Sequence, residues 1–143
     1  MEGPYSQATK QAADGALQPG DAVVAEYKTG VYIGELVELA PSKAKVRVQA
    51  VVKHPEQGNL HVGHRADVSM FHQRRALAHR EVANMPLSSV QRYSGDIPRY
   101  AVSLKEALTR TIAELEEQAK WALQSVESLR ELQREYERQY GDE

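Results

Sequence analysis

At 143 residues the chain fits one compact domain, or a small domain with a helical appendage. Its composition is that of an ordinary soluble globular protein, 41% apolar and 27% charged, and a net charge of −2 singles out no partner. The absence of cysteine excludes disulfides, thiolate metal sites, thiol nucleophiles and cysteine-linked lipids.

Residues 1–18 mix Gly, Ala, Gln, Ser and Pro without apolar periodicity, which predicts a mobile arm. They show no cationic stretch followed by an apolar one, and no run in the chain approaches the roughly 20 apolar residues that span a bilayer. A cytoplasmic protein is expected.

The Pro19-Gly20-Asp21 turn launches AVVAEYK, and Lys28-Thr29-Gly30 separates it from VYIGELVEL, the pattern of an antiparallel hairpin. Gly34 inside the second strand predicts a bulge or a close backbone crossing. After Pro41-Ser42, KAKVRVQAVVKH places Ala44, Val46, Val48, Ala50 and Val52 on one face and Lys43, Lys45, Arg47, Gln49, Val51 and Lys53 on the other. Residues 55–63, rich in Pro and Gly, must loop. ADVSMFHQ and RRALAHREVAN follow as two further extended segments, although the second could also make about three turns of helix. Five short strands with tight turns predict an SH3-like five-stranded β-barrel over residues 19–85, because so few strands cover a core best by curling on themselves.

Residues 86–143 read as helical. Residues 86–90 begin a short helix that stops near Tyr93-Ser94-Gly95, with Gly95 suited to the left-handed position at its end. Asp96 and Pro98 then suit the start of the next helix. From Tyr100 to Tyr140 there is neither Gly nor Pro, and Leu108, Leu115, Ala122, Leu129 and Tyr136 recur every seven residues beside Leu104, Ile112, Ala119 and Val126. Such a stripe predicts either a helical hairpin turning near residues 117–123 or one long coiled-coil helix. The fold class is α+β, and self-association through these helices is one use of the stripe.

Residues 43–80 hold eight Lys and Arg against two acids, whereas residues 81–143 hold eight against twelve. A basic small barrel can bind nucleic acid through phosphate contacts, with Tyr27, Tyr32 and Phe71 as candidate stacking platforms. That is the alternative function. Four histidines, His54, His61, His64 and His72, fall on or beside the loop, but their spacing matches no zinc signature, so neither a metal nor a cofactor is expected. Ser88, Ser89, Ser94 and Ser103 lie in no nucleophile-elbow context, no Gly-rich phosphate loop follows a strand, and no carboxylate pair is placed for acid-base work. A non-enzymatic protein is expected.

The blocks YKTGVYIGE (27–35), AVVKHPEQGNLH (50–61), FHQRRALAHRE (71–81), NMP (84–86), YSGDIPRY (93–100) and SLKEAL (103–108) resemble, in order, those of the kinase-associated protein B family of spore-forming Gram-positive bacteria. The resemblance implies an SH3-like barrel with a helical C-terminal part. It also implies a role as accessory or activator of a membrane sensor histidine kinase that feeds the sporulation phosphorelay. The family name includes "lipoprotein"; without cysteine, lipid anchoring does not carry over, and membrane proximity would come through the kinase. Within the resembling blocks, Lys53, His54, Gln57, His61, Phe71, His72, Arg74 and Arg75 have no evident core role and form the candidate partner-binding set.

Overall fold

The computed structural model describes residues 15–58 and 71–143. Five strands, β1 (Ala22–Tyr27), β2 (Gly30–Leu39), β3 (Lys43–Lys53), β4 (Val82–Pro86) and β5 (Gln91–Arg92), form one antiparallel sheet in the order β4-β3-β2-β1-β5. A single helix, α1 (Tyr100–Tyr140), follows. The chain divides into two compact units, one ending at Leu108 and one spanning Thr109–Glu143, and α1 contributes its first turns to one and its remainder to the other.

β1 and β2 pair from Ala22↔Glu35 to Tyr27↔Gly30, so that Lys28 and Thr29 make a two-residue turn in which Lys28 takes a left-handed φ of 55°. β2 and β3 carry three register shifts, which leave Val37, Gln49 and Val52 as the extra residues. Their effect is to curl the sheet and to exchange its faces. Val46, Val48 and Val51 pack with Val23, Tyr32, Leu36 and Met85, whereas Ala50 joins Val24, Ile33 and Tyr93 on the other side. Strict alternation along β3, with Ala50 and Val52 beside Val48, therefore fails at the Gln49 bulge. Each fully buried Val or Leu in these clusters contributes about 1.5–3 kcal/mol.

Gly34 sits at the middle of the three register shifts. A Cβ there would meet the Arg47 carbonyl oxygen at 2.3 Å, so the close crossing expected from the sequence is present. The curl lays β1 against β4, although β3 and β2 stand between them in the sheet. The sheet is nevertheless not closed: β4 and β5 are its two edges and are not paired with one another among the described residues.

Four expectations are corrected. Of RRALAHREVAN only its last residues enter a strand, because the Val48 carbonyl accepts the Arg80 amide and the Val48 amide donates to the Glu81 carbonyl, with Arg80 at a left-handed φ of 72°. The short helix after Pro86 is a single 3₁₀ turn, Leu87–Ser89, after which the chain becomes β5 and pairs with Val23 and Val24. Gly95 is not in the left-handed region. Residues 117–123 continue α1 without a turn, which removes the helical hairpin. The segment ADVSM lies outside the described residues, as do residues 1–14 of the N-terminal arm.

Candidate partner-binding surface

β3 ends at Lys53, and residues 54–58 leave it as a loop that a second segment, residues 71–81, crosses as a strap. Gln57 is the clasp between them. Its Oε1 accepts the Arg74 amide at 2.8 Å while its Nε2 donates to the Arg74 carbonyl at 2.9 Å, so one side-chain amide pairs with both backbone groups of Arg74 as a strand residue would. The Gly58 amide donates to the His72 carbonyl at 2.8 Å, one step along the same pseudo-ladder. Gly58 has φ +93°, and the Phe71 ring lies where its Cβ would point, at 2.8 Å, so only glycine supplies this turn without strain. The Glu56 amide donates to Thr29 Oγ1 at 2.8 Å, which fastens the loop to the β1–β2 turn.

Further along the strap, Leu77 is held at both polar groups: its amide donates to the Tyr32 hydroxyl at 3.1 Å and its carbonyl accepts from the Tyr100 hydroxyl. Ala76 and Leu77 pack against the core cluster of Tyr32 and Met85. Burial pushes the Tyr32 phenol above its ordinary value, against a lowering from the Leu77 hydrogen bond, and the nearby Glu81 charge adds to the rise. Tyr100 is raised by burial and by Glu81. His79 stacks on Tyr100 with ring centroids 5.4 Å apart.

The candidate set divides in two. Gln57 is consumed by the clasp, Arg74 by its backbone pairing and by its Nε, which donates to the Gly58 carbonyl at 3.3 Å, and His54 Nδ1 lies 3.0 Å from the Pro55 carbonyl oxygen. These three are half-buried bracing residues. Lys53, Phe71, His72 and Arg75 are exposed, Phe71 at 61% in spite of its size. His61 lies outside the described residues, as does His64. The sequence reading missed Tyr32, Tyr100 and Ser103 as the residues that hold the strap and helix in place; an isolated tyrosine or serine in a β or helical pattern carries no sign of a distant partner.

Two features weigh on nucleic-acid binding. Tyr32 is fully buried and cannot stack a base. Lys45 and Arg47 are paired across the ladder with Glu38 at 3.4 Å and Glu35 at 3.0 Å, so part of the basic excess of residues 43–80 is already matched. Among the described residues no three His, Cys, Asp or Glu side chains are grouped to hold a metal ion, and no helix is long and apolar enough to cross a membrane.

The class of protein is thus an α+β module that offers a braced, exposed loop-and-strap surface and a long amphipathic helix. The family model for kinase-associated protein B matches residues 27–137, and the chain belongs to that family. The chain is 44% identical over 121 residues to the kinase-associated lipoprotein B of Bacillus subtilis (strain 168), a match that covers 84% of this chain and 94% of the relative. It is also similar to the crystal structure of kinase-associated protein B from Bacillus cereus, at 37% identity and a TM-score of 0.61, covering 85% of this chain and 99% of that one.

Proposed function

We propose that this protein is a non-enzymatic accessory factor that associates with a sensor histidine kinase and promotes phosphate flow into the sporulation phosphorelay. It acts through protein-protein contacts from the cytoplasm and reaches the membrane only through the kinase. The names of its relatives, both kinase-associated, support the partner class. The observation that carries the site is the Gln57–Arg74 clasp, which fixes the strap on which Phe71, His72 and Arg75 are exposed, with Lys53 also exposed at the end of β3. A polar clasp beneath an exposed apolar ring is a preorganised contact surface: the ordering cost of the loop is met on folding, before any partner arrives. The bulged curl of the sheet that supports it favours reading the fold as a small SH3-like barrel left open between β4 and β5.

The test is a pull-down of purified sporulation sensor kinases with this protein, alongside kinase autophosphorylation. Binding with raised phosphotransfer, lost in a Lys53→Glu/Arg75→Glu double variant of unchanged melting temperature, is the expected result. Unchanged binding by that variant would remove the surface assignment, and no binding by the natural chain would remove the kinase itself as the partner.

A further inference from the structure

The unit spanning Thr109–Glu143 consists of the remainder of α1, and its apolar stripe is uncovered. Ile112, Leu115, Val126, Leu129, Tyr136 and Tyr140 are between 44% and 64% exposed. With Ala119, Ala122 and Gln133 between them, the spacing alternates three and four residues, the 3.5-residue repeat that keeps a seam in register only against another helix of the same period. In heptad terms Ile112, Ala119, Val126, Gln133 and Tyr140 occupy a positions, and Leu115, Ala122, Leu129 and Tyr136 occupy d positions.

Orientation is decided by volume and charge. In a parallel pair each layer faces itself, so Ala119 would meet Ala119 and Ala122 would meet Ala122, leaving the middle thin. Glu116 and Arg130 at the flanks would find no opposite charge, and Leu132 would face Glu137. In an antiparallel pair with Ala122 opposite Val126, the layers become Ala119 with Leu129 and Ile112 with Tyr136, small against large in the middle, with Leu115 opposite Gln133 between them. The same register sets Glu116 beside Arg130 of the other copy, twice by symmetry, and Leu123 beside Leu123. Sliding it by seven residues in either direction sets Glu116 against Leu123 or against Glu137. One register therefore satisfies packing and charge together. Neither Glu116 nor Arg130 forms an ion pair among the described residues.

We propose that residues 109–140 form an antiparallel two-stranded coiled coil with the same segment of a second copy, in the register that pairs Glu116 with Arg130. The interface is isologous, as a twofold dimer requires.

Sedimentation equilibrium of the full chain tests it, with helicity by circular dichroism as the folding control. A dimer is expected. Glu116→Arg and Arg130→Glu should each weaken it at least about tenfold in dissociation constant, and the double exchange should restore it. Because the chain has no cysteine, Ser125→Cys, at the flank facing its own counterpart, should give an oxidised cross-linked dimer, whereas Tyr140→Cys should not. A monomer at every concentration would overturn the proposal and leave the stripe to an unlike partner. Cross-linking through Tyr140→Cys instead of Ser125→Cys would overturn the antiparallel pairing, and normal dimerisation of both single exchanges would overturn the register.

Discussion

The Ser103 hydroxyl accepts the amide of Val51 at 2.9 Å and donates to the Tyr100 carbonyl at 2.9 Å, tying the first turns of α1 to the bulged end of β3. Val51 lies between two of the extra residues of β3, Gln49 and Val52, where a regular ladder is interrupted. Ser103 is 3% exposed, and its hydroxyl satisfies a buried amide that lies beyond the Lys43–Arg47 stretch of β3 paired with β4. Ser103→Ala leaves that amide unpaired, and a loss of about 1–3 kcal/mol is expected in urea unfolding. An unchanged midpoint would mean that water reaches Val51.

The two tyrosines that hold Leu77 make stability depend on alkaline pH. Their folded-state values, like that of Tyr93, lie above the ordinary phenol value of about 10, chiefly through burial. A raised acid holds its proton longer when folded than when unfolded. Its contribution is thus complete below about pH 10 and is lost as pH climbs through the folded-state values. Urea midpoints should be flat from neutral pH to about 10 and fall above it, and Tyr32→Phe should flatten the alkaline fall while lowering neutral stability by about 1 kcal/mol through the unpaired Leu77 amide. An alkaline fall as steep in Tyr32→Phe as in the natural chain would assign it to other groups.

Much of the sheet is legible in the sequence, and the places where reading fails have a common cause. The hairpin follows from turn chemistry at Lys28-Thr29-Gly30, and Gly34 marks the close crossing, both local signals. The face exchange at Gln49 is invisible because a bulge depends on the partner strand, not on the residue inserted. β5 is only two residues long and pairs through Val23 and Val24 rather than through its own pattern. Among the candidate contact residues, polarity and loop position drew Gln57 and Arg74 together with Arg75. Only the fold distinguishes an amide that replaces a ladder rung from a guanidinium that meets solvent. The heptad stripe of α1 was readable throughout, because helix periodicity is carried by the segment itself.

Gln57 and Arg75 should accordingly separate folding from recognition. Gln57→Ala removes both bonds to Arg74 and is expected to cost about 1–2 kcal/mol and to speed amide exchange at Arg74 and Gly58. Arg75→Glu changes only an exposed group, so its stability should lie within about 0.5 kcal/mol of the natural chain while kinase binding weakens. Equal loss of stability in both would show that Arg75 also braces the strap.

Gly34→Ala tests the curl on which the surface rests. The added methyl would lie 2.3 Å from the Arg47 carbonyl oxygen and 2.6 Å from a Val46 methyl. The carbonyl belongs to backbone paired with Glu35 on β2 and with Val82 on β4, so it cannot retreat without opening both ladders. A loss of about 3 kcal/mol is expected, against the stabilisation that Gly→Ala confers on an unhindered site. Helicity of the segment beyond Leu108 should survive, because that unit makes its own backbone bonds, and circular dichroism with urea unfolding would read both effects. Unchanged stability would show that β2 and β3 can separate at this crossing, and the tight curl would then not be what positions the loop and strap.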